Sequence, residues 1–276
     1  MKTNTNFTKK DFVVTLACVL FLLANIAAIG TSGRRRAKEA VCLSNLHQWG
    51  NIFKAFLNDN DGFFMDGWYE RNGQSWWAIL RPYYGESESE QDLRTDIKCC
   101  PEAVKCQKEF ASDMSGSTFE AWGGPDTYAF IDGKVGDYGS YGTNSFINDH
   151  PGTGEDWRPD YWRRPDIAGA DNIPLFLDSI WPTGAPWWTE TPPEYPGMKP
   201  GSGSIFDSMS FFCIPRHYGA INGLFMDFSA RKIGLKELWL LKWARTYDLA
   251  QARENEPDWT IGTSWMIHLK DYDYTP

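Results

Sequence analysis

Apolar and polar positions along the chain fall into two regimes. From Phe12 to Ile29 the sequence reads FVVTLACVLFLLANIAAI, eighteen positions without a charge. A bilayer core is about 30 Å thick and a helix rises about 1.5 Å per residue, so about 20 apolar residues span it. With Gly30 and Thr31 the run reaches that length and predicts a membrane-spanning helix over 12–30. It exceeds the usual signal-peptide core of about 7–15 residues, which favours a retained anchor over cleavage near Ala28-Ile29-Gly30. Beyond Arg34-Arg35-Arg36 the pattern turns amphipathic. Cys42, Leu46, Trp49, Phe53 and Phe56 recur at spacings of four, three, four and three, one apolar stripe on a helix. Nothing between them breaks a helix except Gly50, which costs about 1 kcal/mol relative to Ala. The two regimes therefore predict one rod, Phe12 to Leu57, roughly 70 Å long.

Asn58-Asp59-Asn60-Asp61-Gly62 ends the rod. Asn and Gly tolerate the left-handed conformation, so the segment predicts a helix C-terminus and turn. Asp59 and Asp61 are weak metal candidates, because their spacing does not match an EF-hand calcium loop. Further on, Ser75 to Tyr83 predicts a short amphipathic helix and Ile173 to Trp181 a strand. Gly223 to Ile233 predicts two strands around a turn at Asp227-Phe228. Leu235, Trp239, Trp243 and Tyr247, one every fourth residue, predict an aromatic helix face. Pro182 to Ser204 reads as a long loop carrying Trp187 and Trp188.

Charge is distributed asymmetrically. Residues 1–38 hold seven basic and one acidic side chain; the remaining 20 basic and 35 acidic residues leave the rest at −15. Such a surface repels phosphate backbones and argues against nucleic-acid binding. Lys and Arg flanking the apolar run slightly favour a cytoplasmic C-terminal side. The acidic, aromatic-rich remainder, with 14 Trp, 12 Tyr and 17 Phe, argues instead for an exported head. Of six cysteines, Cys18 lies in the apolar run, and Cys42, Cys99, Cys100, Cys106 and Cys213 lie beyond it. No Cys-x-x-Cys pairing has zinc spacing. Disulfides are favoured, with Cys99 or Cys100 to Cys106, and Cys42 or Cys213 to one of these, left open. No nucleophile elbow, Walker loop or His-Glu-x-x-His occurs, so no catalytic residue and no cofactor is assigned, and a non-enzymatic role is expected.

Four stretches, in order, carry a family resemblance. They are Phe7-Thr8 with Asp11 before the apolar run; Arg36-Ala-Lys-Glu-Ala-Val-Cys-Leu-Ser-Asn-Leu-His-Gln-Trp with the Asn-Asp-Asn-Asp-Gly stop; Tyr141-Gly-Thr-Asn-Ser with Ile173-Pro-Leu-Phe-Leu-Asp178; and Arg216-His217, Leu224-Phe-Met-Asp227 and Gly234-Leu-Lys-Glu-Leu-Trp239. The chain resembles the bacterial type II secretion pseudopilin-like proteins with a prepilin-type N-terminus and a C-terminal His, nine residues, Asp-Gly segment. The resemblance implies an α+β, pilin-like fold: a long N-terminal helix whose outer half packs on an antiparallel sheet, with loop-rich insertions. It implies a cytoplasmic leader 1–11, transmembrane helix 12–30, helix continuation 31–58 and head 59–276, in a single-pass inner-membrane protein with its head in the periplasm or at the cell surface. Partners would be the lipid bilayer, other pseudopilin subunits and a prepilin peptidase. Asn6, Phe7 and Asp11 are the matching processing and assembly positions, and His217 and Asp227 the C-terminal motif.

The sequence differs from the family at Asn6 for Gly, at Asp11 for Glu, in the charged pair Lys9-Lys10, and at Phe228 for Gly. A left-handed Phe would cost on the order of 1 kcal/mol, so a turn of another type is expected there, with His217 and Asp227 on neighbouring strands. The alternative function is a surface polysaccharide-binding module using Trp187 and Trp188, with Trp76 and Trp77 supporting it.

Overall fold

The computed structural model describes residues 8–65, 75–84, 97–106, 115–124, 137–149, 158–198, 208–254 and 264–271, together with 257 and 259; the side chains of 22–29, 31, 106 and 158 lie outside that description. The first element, α1 (Lys9–Asp59), opens on a capping box. Thr8 accepts from the Asp11 backbone and Asp11 accepts from that of Thr8, which satisfies two of the donors a helix start leaves open. It closes at the expected stop: Asp61 and Gly62 have positive φ, and Gly62 N donates to Leu57 O at 2.8 Å.

The two halves of α1 meet different surroundings. From Arg35 onward it is attached, with Arg35 over the Tyr218 ring and Lys38 and Glu39 paired to Glu102 and Lys232. Its stripe of Cys42, Leu46, Trp49, Phe53 and Phe56 is buried. Phe12, Val13, Val14, Leu16, Val19 and Leu20 are exposed. Among the described residues, no helix is long and apolar enough to cross a membrane. Lys9, Lys10 and Asp11 lie in the first turn of the same helix, so α1 opens on charged rather than apolar residues. The predicted transmembrane helix over 12–30 is corrected accordingly. The membrane-spanning half of the expected pseudopilin-type fold and the single-pass inner-membrane placement fall with it.

The sheet also differs from expectation. Strands β4 (Tyr141–Asn144), β5 (Pro174–Asp178), β6 (Thr183–Gly184), β7 (Ala220–Phe225) and β8 (Ala230–Gly234) form one sheet in the order β6-β4-β5-β7-β8. Neighbours are antiparallel except β4 and β6, so the sheet is mixed. The cause is the return after β5, where the chain passes Trp181-Pro182 and lays two residues along the outer edge of β4. Thr143 N donates to Pro182 O at 3.0 Å there. A smaller sheet joins β1 (Lys105–Cys106), β2 (Glu120–Gly123) and β3 (Tyr138–Gly139), with the first pair parallel and the second antiparallel.

Both faces of the larger sheet are covered, which is why β5 and β7 are buried throughout. On one face lie α1 and α2 (Trp76–Tyr84), where the Trp49 ring meets Trp76 at 5.6 Å, Tyr84 at 5.2 Å and Phe176 at 5.0 Å. Gly50 lets the helix approach β7; a Cβ there would lie 3.2 Å from Leu224. On the other face, Leu177, Ile221 and Ile233 pack with α3 (Met209–Phe212) and with Trp239, Trp243 and Tyr247. These aromatics do not form the predicted helix. The turn Lys236–Leu240 is a 3-10 helix that ends at extended Leu241. The Leu238 carbonyl accepts the Trp243 indole and the Trp239 carbonyl accepts the Tyr247 hydroxyl, so rings take up carbonyls that a helical ladder would use.

The β7–β8 turn overturns a second expectation. Phe228 does adopt positive φ, 66°. The cost is offset by packing of its ring on the core and by Lys54 Nζ 4.8 Å from the ring centroid, while Asp227 accepts from Ser229 N and Oγ.

Trp49→Ala is expected to cost about 3–5 kcal/mol by urea denaturation, whereas Phe12→Ala changes stability by less than about 0.5 kcal/mol. Equal effects would contradict the division of α1 into packed and unpacked halves. Gly142→Ala is expected to cost about 1–3 kcal/mol, because its Cβ would lie 2.4 Å from the Trp181 carbonyl oxygen.

Candidate functional site

The chemistry-bearing side chains converge where α1, the end of β5 and the turn before β7 meet. Cys42 faces the sheet from the apolar stripe of α1. Cys100 sits in a turn closed by Ala103 N to Cys100 O at 2.8 Å. That turn is tied to α1 by Asn45 Nδ2 to Cys99 O and Trp49 Nε1 to Ile97 O, and Ser140 Oγ accepts from Cys100 N at 2.6 Å. Asp178 is the last residue of β5, paired in register with Tyr141. Arg216 and His217 precede β7. His217 N donates to Ala220 O at 2.8 Å across left-handed Tyr218 and Gly219, a tight turn that directs the imidazole inward.

Cys42, Cys100, Asp178 and His217 are all buried, and one ligand-type atom of each lies within 4.8 Å of the others. His217 Nε2 is 3.2 Å from Asp178 Oδ2 and 3.3 Å from Cys100 Sγ. Cys42 Sγ is 3.7 Å from Asp178 Oδ2 and accepts from Tyr141 OH at 3.3 Å. Arg216 donates to Asp178 Oδ1 at 2.9 Å and to the carbonyls of Ser117, Thr118, Ser140 and Ser179. Asn222 N donates to Asp178 Oδ2 at 2.8 Å. The Asn222 carboxamide, fully buried, has no hydrogen-bond partner among the described residues. It lies on the same face of β7 as Leu224, toward α1, by the two-residue alternation of a strand.

The electrostatics are those of a dry ion cluster. Burial alone would raise the Asp178 carboxyl, but His217 and Arg216 beside it, with hydrogen bonds from His217 and Asn222 N, hold it at about 2. Burial would lower His217, but Asp178, with a smaller contribution from Cys100, raises it to about 10. Burial pushes the Cys100 thiol and the Tyr141 phenol well up. The Arg216 guanidinium and the His217 imidazole thus both face the one Asp178 carboxylate in a site that water does not reach.

The structure separates the other sequence candidates. Asp227 lies in the turn at the far end of β7 from His217, about 20 Å away at about 3.3 Å per residue, so the two do not form a pair. Asp59 accepts from the Tyr83 hydroxyl at 3.1 Å; it and exposed Asp61 are outside the metal-type grouping. Asn6 and Phe7 lie outside the described residues. The Asp11 carboxyl is held down by the Thr8 side chain and backbone in the helix cap. Trp187 and Trp188 are half-buried, 4.1 Å apart, with their edges on Tyr247. Trp76 and Trp77 are core residues. The expected disulfides are not formed at Cys42, Cys99, Cys100 or Cys213, which are free thiols, although Cys42 and Cys100 lie close together. Cys213 is buried beside Met266 instead.

Sequence reasoning singled out His217 but not its partners, because Cys42, Cys100 and Asp178 are distant in the chain. The available signal was Asp178 itself, a carboxylate closing an otherwise apolar strand. No protein-family model matches the chain, and neither a curated protein nor a solved structure shows significant similarity to it.

Arg216→Met is expected to destabilise the protein by about 3–5 kcal/mol, since it strands buried Asp178 and four carbonyls. Arg216→Lys, with three donors instead of a planar fork, is expected to recover less than half of the loss in urea midpoint.

Proposed function

We propose that the chain is a non-enzymatic subunit of a pilus-like, multi-copy assembly, and that it associates through the first half of α1. The observation that carries this reading is the projecting apolar segment at Phe12, Val13, Val14, Leu16, Val19 and Leu20, all exposed. An apolar patch of this extent on a folded chain is normally an interaction surface. At about 100° per residue, Phe12, Val13, Leu16, Val19 and Leu20 share one broad face of the helix and Val14 lies opposite, an apolar surface wide enough to meet more than one neighbour. The occupants are equivalent helices of further copies, which present the same surface. Two features support a role without catalysis: the titratable cluster is sealed from solvent on all four of its members, and the aromatic side chains invoked for sugar binding are packed on one another or on the core.

Sedimentation velocity on the full-length chain tests this. The wild type is expected to form concentration-dependent higher oligomers, and the double variant Leu16→Asp, Leu20→Asp to remain monomeric. Burying each Leu contributes about 1.5–3 kcal/mol, and placing two carboxylates between packed helices reverses that gain. The urea midpoint of the variant should match the wild type, because neither residue touches the folded core. A monomeric wild type at all accessible concentrations would remove the support for assembly.

A further inference from the structure

We infer that Cys42, Cys100, Asp178 and His217 bind one zinc-class divalent ion, a structural metal site that fastens α1 to the rest of the fold. The donor set is the kind such an ion takes: two thiolates, one imidazole and one carboxylate. The four donor atoms lie within 4.8 Å of one another, and three of the pairs approach tetrahedral spacing. With metal–sulfur bonds of about 2.3 Å and metal–nitrogen or metal–oxygen bonds of about 2.0 Å, a tetrahedron has edges of about 3.3–3.8 Å. The spacings here are 3.2 Å from His217 Nε2 to Asp178 Oδ2, 3.3 Å from His217 Nε2 to Cys100 Sγ, and 3.7 Å from Cys42 Sγ to Asp178 Oδ2.

Charge points the same way. Two thiolates, the Asp178 carboxylate, a neutral His217, the Arg216 guanidinium and a dication sum to zero, so the occupied site leaves no net charge in the dry interior. Surrounding groups hold the ligands as outer partners do in metal sites: Arg216 and Asn222 N fix the carboxylate and Tyr141 OH donates to Cys42 Sγ. All four donors are protein side chains and all are buried, so the ion has no open position and its role is structural rather than catalytic. The site joins helix, loop, strand and turn that are far apart in sequence.

The test uses the full-length protein purified under reducing conditions without chelator. Elemental mass spectrometry is expected to find one zinc per chain. Replacement by Co2+ is expected to give the thiolate-to-cobalt charge-transfer band and the intense visible bands of a tetrahedral site, a readout that needs no variant. Cys42→Ser with Cys100→Ser is expected to lose the ion, and Tyr141→Phe to weaken it about tenfold or more. Folded, reduced wild-type protein that gives no such cobalt spectrum would overturn the inference. So would a Cys42–Cys100 disulfide in the purified chain, or retention of stoichiometric zinc by the double cysteine variant.

Discussion

A guanidinium placed where water cannot reach it must find all its partners within the protein, and Arg216 sets that demand for this fold. Its donors go to carbonyls at Ser117, Thr118, Ser140 and Ser179 and to the Asp178 carboxylate. Those groups belong to the loop before β2, the residue before β4 and the end of β5. The cost of burying one cation is therefore met only when three separate stretches arrive together. Asp178 is fixed by the same contact, and through it His217 and Cys42. The end of the larger sheet's central strand, the small sheet and, through Asp178, the helix all meet around one side chain.

The aromatic packing depends on that convergence and extends it. Trp49 can lie among Trp76, Tyr84 and Phe176 because α1 is held at Cys42 on one side, and because Gly50 leaves room for Leu224 on the other. The rings also spend their polar atoms: Trp49 on Ile97, Trp76 on Pro182, and Trp122 on the Tyr141 carbonyl. A core this rich in Trp would strand indole donors unless loop carbonyls were brought to them. The loops are thus part of the core's hydrogen bonding and not only its connections.

Features written into local sequence were legible. The stripe from Cys42 to Phe56, the stop at Asn58 to Gly62, the helix near Trp76, the strand at Pro174 and the hairpin around Asp227 all follow from periodicity or turn chemistry. Three readings failed for reasons outside local pattern. The four-residue spacing of Leu235, Trp239, Trp243 and Tyr247 suits a helix, yet the ring polar atoms take up carbonyls the helix would need. Phe228 takes a left-handed conformation that sequence argues against, because packing under Lys54 compensates. The apolar run from Phe12 predicts a bilayer span on length and hydropathy, yet among the described residues no helix is long and apolar enough to cross a membrane. The cluster at Cys42, Cys100, Asp178 and His217 had no short-range signature, since its geometry exists only after strands and helix are assembled.

Phe12 lies thirty residues before Cys42 on one continuous α1, a lever arm of about 45 Å. A sideways load at the tip reaches the folded body first where α1 becomes attached, near Arg35 to Cys42. The surface ion pairs of Lys38 and Glu39 are weak under such a load, and the buried junction at Cys42 lies immediately behind them. The mechanical strength of the molecule is thus set at that junction and not by the large aromatic core beyond it.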